Sequence, residues 1–223
     1  MTPTKRPQLV VLISGSGSNL QAFIDATKNG TLNADIAGVL SNKAGVMGLE
    51  RAKNAGIATE VIDHRQFADR ESFDQELADR IERYQPDLVI LAGFMRILTS
   101  SFVDLFTGRI MNIHPSLLPK YPGLHTHQRA IEAGDSTAGA TVHFVTGELD
   151  GGPAIIQAEV PILPGDDADA LAGRILIQEH QIYPLAAQWF CEGKLSLTNG
   201  VPQLDNEPLP VSGFSFSRAS TEL

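Results

Sequence analysis

The sequence predicts an α/β protein: a Rossmann-like, mostly parallel sheet with helices on both faces, then a C-terminal part with antiparallel strands and a long helix. Three observations carry this. Apolar runs such as Leu9-Val10-Val11-Leu12-Ile13 and Leu88-Val89-Ile90-Leu91-Ala92 are continuous rather than alternating, the pattern of strands buried on both faces of a parallel sheet. These runs alternate with stretches of helical spacing. Beyond residue 140 the character changes to two strands around a Gly-rich turn, followed by one long amphipathic stretch.

Each element has its own local reason. Leu9 to Ile13 is the first buried strand, and Leu20 to Lys28 a helix stopped by Asn29-Gly30. Ile36 to Leu40 is a second strand, followed by a helix near Met47 to Asn54 that Gly56 ends. Glu60-Val61-Ile62 makes a short third strand. Glu71 to Tyr84 is a helix whose Phe73, Leu77, Ile81 and Tyr84 recur at helical spacing. Leu88 to Ala92 is the fourth strand and Ser101 to Phe106 a short helix. Thr141 to Val145 and Ala154 to Val160 are strands joined around Asp150-Gly151-Gly152. A helix over Asp169 to Trp189 has Leu171, Ile175, Ile182, Leu185 and Trp189 as its core stripe, with Pro184 expected to kink it. One domain over 1–198 is expected, with halves at about 8–110 and 111–198. The tail, 199–223, is rich in Pro, Ser and Gly and is expected to be loosely ordered.

Composition narrows the function. With 223 residues and a formal net charge of −9, the surface disfavours general nucleic-acid binding. The single cysteine, Cys191, excludes an internal disulfide and any Cys-x-x-Cys site, and it reads as a packing residue. Lys5 and Arg6 precede an apolar run too short for a secretion signal. No stretch reaches the ~20 apolar residues that span a bilayer. A soluble, cytoplasmic protein with no membrane association is expected.

The most informative segment is Asn112-Ile113-His114-Pro115, at the end of the apolar run Arg109-Ile110-Met111. Strand alternation puts Asn112 and His114 on one face, at a strand's carboxyl end, where open α/β sheets keep their ligand crevices. An amide and an imidazole there are able to donate to an oxyanion, and the imidazole also moves a proton. The bland alternative is a satisfied structural histidine. A catalytic His114 needs an orienting carboxylate. Asp150 is the candidate, although an acid beside Gly151 is also common in plain turns.

The loop Ser14-Gly15-Ser16-Gly17-Ser18-Asn19 joins a strand to a helix. It has no Walker lysine, and Leu20 stands where the dinucleotide fingerprint needs a third glycine. A cradle for one phosphate monoester and a plain serine-capped turn are both open readings. Arg96 follows the fourth strand, either to bind a carboxylate or to cap the sheet's rim. Its neighbours Phe94, Met95, Ile97 and Leu98 either line an apolar slot or pack in the core. His125-Thr126-His127 with His143 invites a metal reading, but no clear third ligand lies near in sequence; no metal is expected. No Gly-x-Ser-x-Gly elbow exists to support a serine nucleophile.

Taken together, Ile13 to Leu20, Leu91 to Leu98, Asn112 to Gly123, Val142 to Val145, Leu149 to Pro153 and Gln178-Glu179-His180 resemble the folate-dependent formyltransferase superfamily. Within it they resemble the glycinamide ribonucleotide formyltransferases of purine synthesis, from about Leu9 to Leu197. The resemblance implies 10-formyltetrahydrofolate as co-substrate and glycinamide ribonucleotide as acceptor. It implies Asn112, His114 and Asp150 as the catalytic set. It also implies Gly17, Ser18 and Asn19 on the phosphate and Glu179 on the ribose. Arg70, Met95, Arg96, Ile97, Leu98 and Asn112 would then meet the folate, with the loop after Ser116 closing over substrates. Partners are small molecules only, with the chain a monomer or homodimer. A methionyl-tRNA formyltransferase is expected to carry a further nucleic-acid-binding domain, and a formyltetrahydrofolate deformylase an extra amino-terminal domain. The deformylase, or another folate-dependent formyltransferase, is the alternative.

Overall fold

The computed structural model describes residues 5–217. These fall into two compact units that divide between Met111 and Asn112.

In the first unit four strands pair in parallel: β1 (Gln8–Ile13), β2 (Asp35–Ser41), β3 (Thr59–Val61) and β4 (Leu88–Leu91), in the order β4-β1-β2-β3. Leu9 to Ile13 are all fully buried, as are Leu88, Val89 and Ile90, so the continuous apolar runs do mark central strands. The intervening helices are α1 (Ser18–Asn29), α2 (Met47–Asn54), α3 (Arg70–Glu82) and α4 (Ser100–Leu105). Asp69 caps α3 by accepting from the Ser72 amide, and Thr99 caps α4 by accepting from Phe102. Gly30, with φ 82°, closes α1 in the left-handed conformation that its sequence position announces.

Strand β5 (Ile110–His114) carries the chain into the second unit, where the next strands in chain order, residues 137–144 and 154–161, extend the sheet from it. Strands β6 (Thr137–Phe144) and β7 (Ala154–Pro161) are antiparallel. A short helix that the sequence did not announce, α5 (Thr126–Glu132), precedes β6. The long helix α6 (Ala168–Cys191) continues through Pro184, with Asp167 as its cap. It packs on β6 and β7. Cys191, expected to be packed away, is only partly buried. No helix among the described residues is long and apolar enough to cross a membrane.

The expected loosely ordered tail is corrected over residues 199–217. Strands β8 (Leu195–Thr198), β9 (Val201–Leu204) and β10 (Glu207–Pro208) form a small antiparallel sheet. The physical reason lies in the composition that suggested disorder. Asn199-Gly200 and Asp205-Asn206 all have positive φ (50°, 78°, 53° and 68°), as two-residue hairpin turns require. Strand β11 (Phe214–Phe216) then adds in parallel to β7, and the Phe214 ring meets Trp189 edge-on at 5.3 Å. Gly213 permits that approach, because a Cβ there would lie 2.6 Å from the Ile155 carbonyl carbon. Residues 218–223 lie outside the described residues.

Candidate functional site

In the second unit, β5 presents Asn112 and His114, β6 presents His143, and the turn between β6 and β7 presents Asp150. The structure brings these four together. His114 Nδ1 lies 3.4 Å from Asp150 Oδ2, with the two side chains only 7% and 8% exposed. The other ring nitrogen, Nε2, is 2.9 Å from the Tyr121 carbonyl oxygen. Both nitrogens therefore face acceptors, an arrangement that a doubly protonated ring satisfies. Asp150 Oδ2 also accepts from the Gly123 amide at 2.8 Å. The aspartate is held in the left-handed region (φ 51°), which Asp tolerates better than most residues. Gly152 lets this turn close, since a Cβ there would collide with the Phe144 carbonyl oxygen.

His143 was visible in the sequence only as a metal candidate, and its observed role is different. Its Nδ1 is 2.9 Å from the Phe144 carbonyl oxygen and must donate to it. In the neutral ring Nε2 is then an acceptor. Burial holds this histidine's pKa below its usual value; the Phe144 and Asp150 oxygens oppose that shift, and His114 reinforces it. Asn112 lies 3.2 Å from Nε2 through its Nδ2, so the amide donates there and its flip is determined. One Nδ2 hydrogen is left for another acceptor. Nothing local announces this link, which joins residues 31 apart in sequence; the only hint was a histidine inside an apolar strand.

The segment after β5 is tied down by Thr141. Its hydroxyl donates to Ser116 O at 2.7 Å and accepts from Leu118 N and Gln157 Nε2. His125 and His127 flank the start of α5. Among the described residues no group of three or more His, Cys, Asp or Glu is placed to hold a metal ion. Glu179 is buried on α6.

The first unit holds the other expected residues. Gly17 is the N-cap of α1, with φ 69° and no side-chain cap hydrogen bond of its own. A Cβ on Gly17 would stand 2.6 Å from Gly48 Cα, so glycine is required twice over. Ser18 and Asn19 form the first turn of α1. Arg51, which the sequence reading did not single out, braces the loop by donating from Nε to Ser16 O at 2.9 Å. Arg70 opens α3 and is exposed. Met95 and Ile97 are 62% and 55% exposed, too open for core, whereas Leu98 is buried. Arg96 lies over the Phe73 ring at 4.7 Å.

Comparison with known proteins bears on this arrangement. Residues 7–187 match the family model described as formyl transferase. The chain is 54% identical over 207 residues to phosphoribosylglycinamide formyltransferase of Escherichia coli K12, covering 93% of this chain and 98% of that protein. It is 45% identical over 193 residues to the human trifunctional purine biosynthetic protein adenosine-3, covering 86% of this chain and 19% of that one. A solved phosphoribosylglycinamide formyltransferase from Coxiella burnetii superposes with a TM-score of 0.92 at 47% identity, covering 96% of this chain and all of that one.

Proposed function

The chain belongs to the formyl transferase family, and on that premise we propose that it transfers the formyl group of 10-formyltetrahydrofolate to the amine of glycinamide ribonucleotide. The products are formylglycinamide ribonucleotide and tetrahydrofolate, as in purine biosynthesis. It acts on these small molecules in the cytoplasm, as a monomer or homodimer. The observation that carries the reading is the buried His114–Asp150 pair beside an Asn112 amide whose donor is aimed by His143.

The acceptor's amine attacks the formyl carbon, and the carbonyl oxygen becomes an oxyanion. Asn112 donates its remaining Nδ2 hydrogen to that oxygen. His114 donates from Nε2, the oxyanion replacing the Tyr121 carbonyl as acceptor. Asp150 stabilises the imidazolium through Nδ1 and positions a water that carries the amine's proton to the leaving folate nitrogen. The C–N bond to folate breaks as the new amide forms, with no covalent enzyme intermediate. The glycine-capped start of α1 receives the ribonucleotide phosphate on the amides of Gly17, Ser18 and Asn19. Glu179 accepts from the ribose hydroxyls. Exposed Met95 and Ile97, with Arg70, Arg96 and Leu98, form the folate side.

The test is formyl transfer by the purified protein, with and without glycinamide ribonucleotide. Tetrahydrofolate formed only with the acceptor, at one formylated nucleotide per folate, is the expected result. Equal release without acceptor would indicate a deformylase instead.

A further inference from the structure

Outside the His114–Asp150 cluster, the first unit contains a buried chain of hydrogen bonds that the proposed mechanism does not use. Ser14 is the first residue after β1 and begins the Gly-rich loop. Its hydroxyl accepts from the Met95 amide at 2.8 Å and donates to Asn42 Oδ1 at 2.6 Å. Its own amide donates to Gly93 O at 3.1 Å. Asn42 follows β2; its Nδ2 and backbone carbonyl lie 3.3 and 3.1 Å from His64 Nδ1. Ser14 and Asn42 are 5% and 2% exposed.

The chemistry of this junction is specific. A serine hydroxyl has one hydrogen, and giving it to Asn42 turns the lone pairs toward the Met95 amide. Residues 93–96 lie in no helix or strand, and Gly93 sits at φ 72°. Two of the atoms that hold this irregular turn belong to the residue that opens the Gly-rich loop. Anchoring the loop by a phosphate therefore restrains the Met95 backbone, and ordering the 95–98 segment restrains the loop. The free energy of ordering shared atoms is met by whichever ligand binds first, which makes the second bind more tightly.

We propose that Ser14 is a positioning residue that couples the ribonucleotide loop to the folate-binding segment, so that the two substrates bind with positive cooperativity. This rests on the assignment of those two segments under the proposed function. By linkage the effect is reciprocal: each ligand tightens the other by the same factor.

The experiment is calorimetric titration of the intact protein with tetrahydrofolate, with and without saturating glycinamide ribonucleotide, and the reverse titration. The wild type is expected to show a tightening of about fivefold or more in both directions. In Ser14→Ala the ratio falls toward one, while the affinity for glycinamide ribonucleotide alone stays close to wild type. A hydroxyl with only a structural role would lower stability or both affinities and leave the ratio intact. A wild-type ratio of one, or an unchanged ratio in the variant, overturns the proposal. If the wild type binds neither ligand, the functional assignment fails and the proposal with it. Should Ser14→Ala not fold, Asn42→Ala decides the same question, because it keeps the hydroxyl and removes the acceptor that aims it.

Discussion

Asp150 meets His114, 36 positions earlier in the chain, Oδ2 to Nδ1 at 3.4 Å, and both side chains are shielded from solvent. The Gly123 amide holds the same carboxylate oxygen. In the proposed mechanism an aspartate placed this way supports the charge that His114 carries while it donates to the oxyanion, in a site where water screens little.

Replacing that charge while keeping the shape should isolate it. Asp150→Asn retains an oxygen for Gly123 but no charge for His114. Turnover should fall by about 10²–10⁴-fold, with little change in KM for the ribonucleotide. His114→Ala combined with Asp150→Asn should lose hardly more than the worse single variant, since residues acting as a unit do not add. Steady-state kinetics of the three variants checks this, and near-wild-type turnover in Asp150→Asn would refute the assignment.

In the proposed mechanism Asn112→Ala removes one of the two oxyanion donors, and it should lower kcat by about 10²–10³-fold. His143→Leu leaves the amide in place but free to flip. It should lower kcat by roughly ten- to a hundredfold through misplacement alone. Substrate KM should hardly move in either variant. A His143→Leu enzyme with unchanged kcat would show that Asn112 orients itself.

Two histidines set a pH window for stability. His143 is lowered by burial first, and so is His127, with His114 adding to both shifts. Unfolded, each titrates near 6.5; folded, each resists protonation. Below 6.5 the unfolded chain therefore binds more protons, and stability is lost as pH falls toward the folded values. Asp63 and Asp166, both held at about 2 by their arginine partners, lose their contribution only as pH falls from about 3.8 toward 2. Urea unfolding between pH 7.5 and 5 should show the histidine window, and His143→Gln should reduce it to the share of His127. A pH-independent midpoint across that range would contradict this.

Gly17→Ala forces a side chain into positive φ and against Gly48 Cα. A loss of about 1–3 kcal/mol in unfolding free energy is expected. The ribonucleotide KM should rise, with kcat at saturation largely kept. Equal rises in both substrate KM values would argue against a local loop effect.

Trp189→Ala deletes the ring on which Phe214 rests. The aromatic contact alone is worth about 0.5–1.5 kcal/mol. Amide exchange at Ser215 and Phe216, which pair with β7, should speed up markedly, while exchange in β1 and β4 stays slow. Protected β11 amides in the variant would mean that the strand stands on backbone pairing alone.

The strands of the first unit, the long C-terminal helix and the Asn112–His114 strand end were legible because they depend on near neighbours. A continuous apolar run or a period of 3.6 is written within a few residues. Reading the tail as loosely ordered went wrong for a related reason. Its Pro, Ser and Gly content suggested disorder, yet Asn199-Gly200 is itself a hairpin signal, and β11 depends on an edge of β7 far away in sequence.

By itself the sequence determined the α/β character, the β5 donors and the Gly-rich loop, and it nominated Asp150. The tertiary structure alone decided that Asp150 reaches His114, that His143 aims Asn112, and that Ser14 holds Met95. Each of these is a contact between residues at least 31 apart in sequence, set by strand register and turn closure. Local propensity specifies which way a side chain points along its own strand. Only packing of the assembled sheet specifies which side chain it meets.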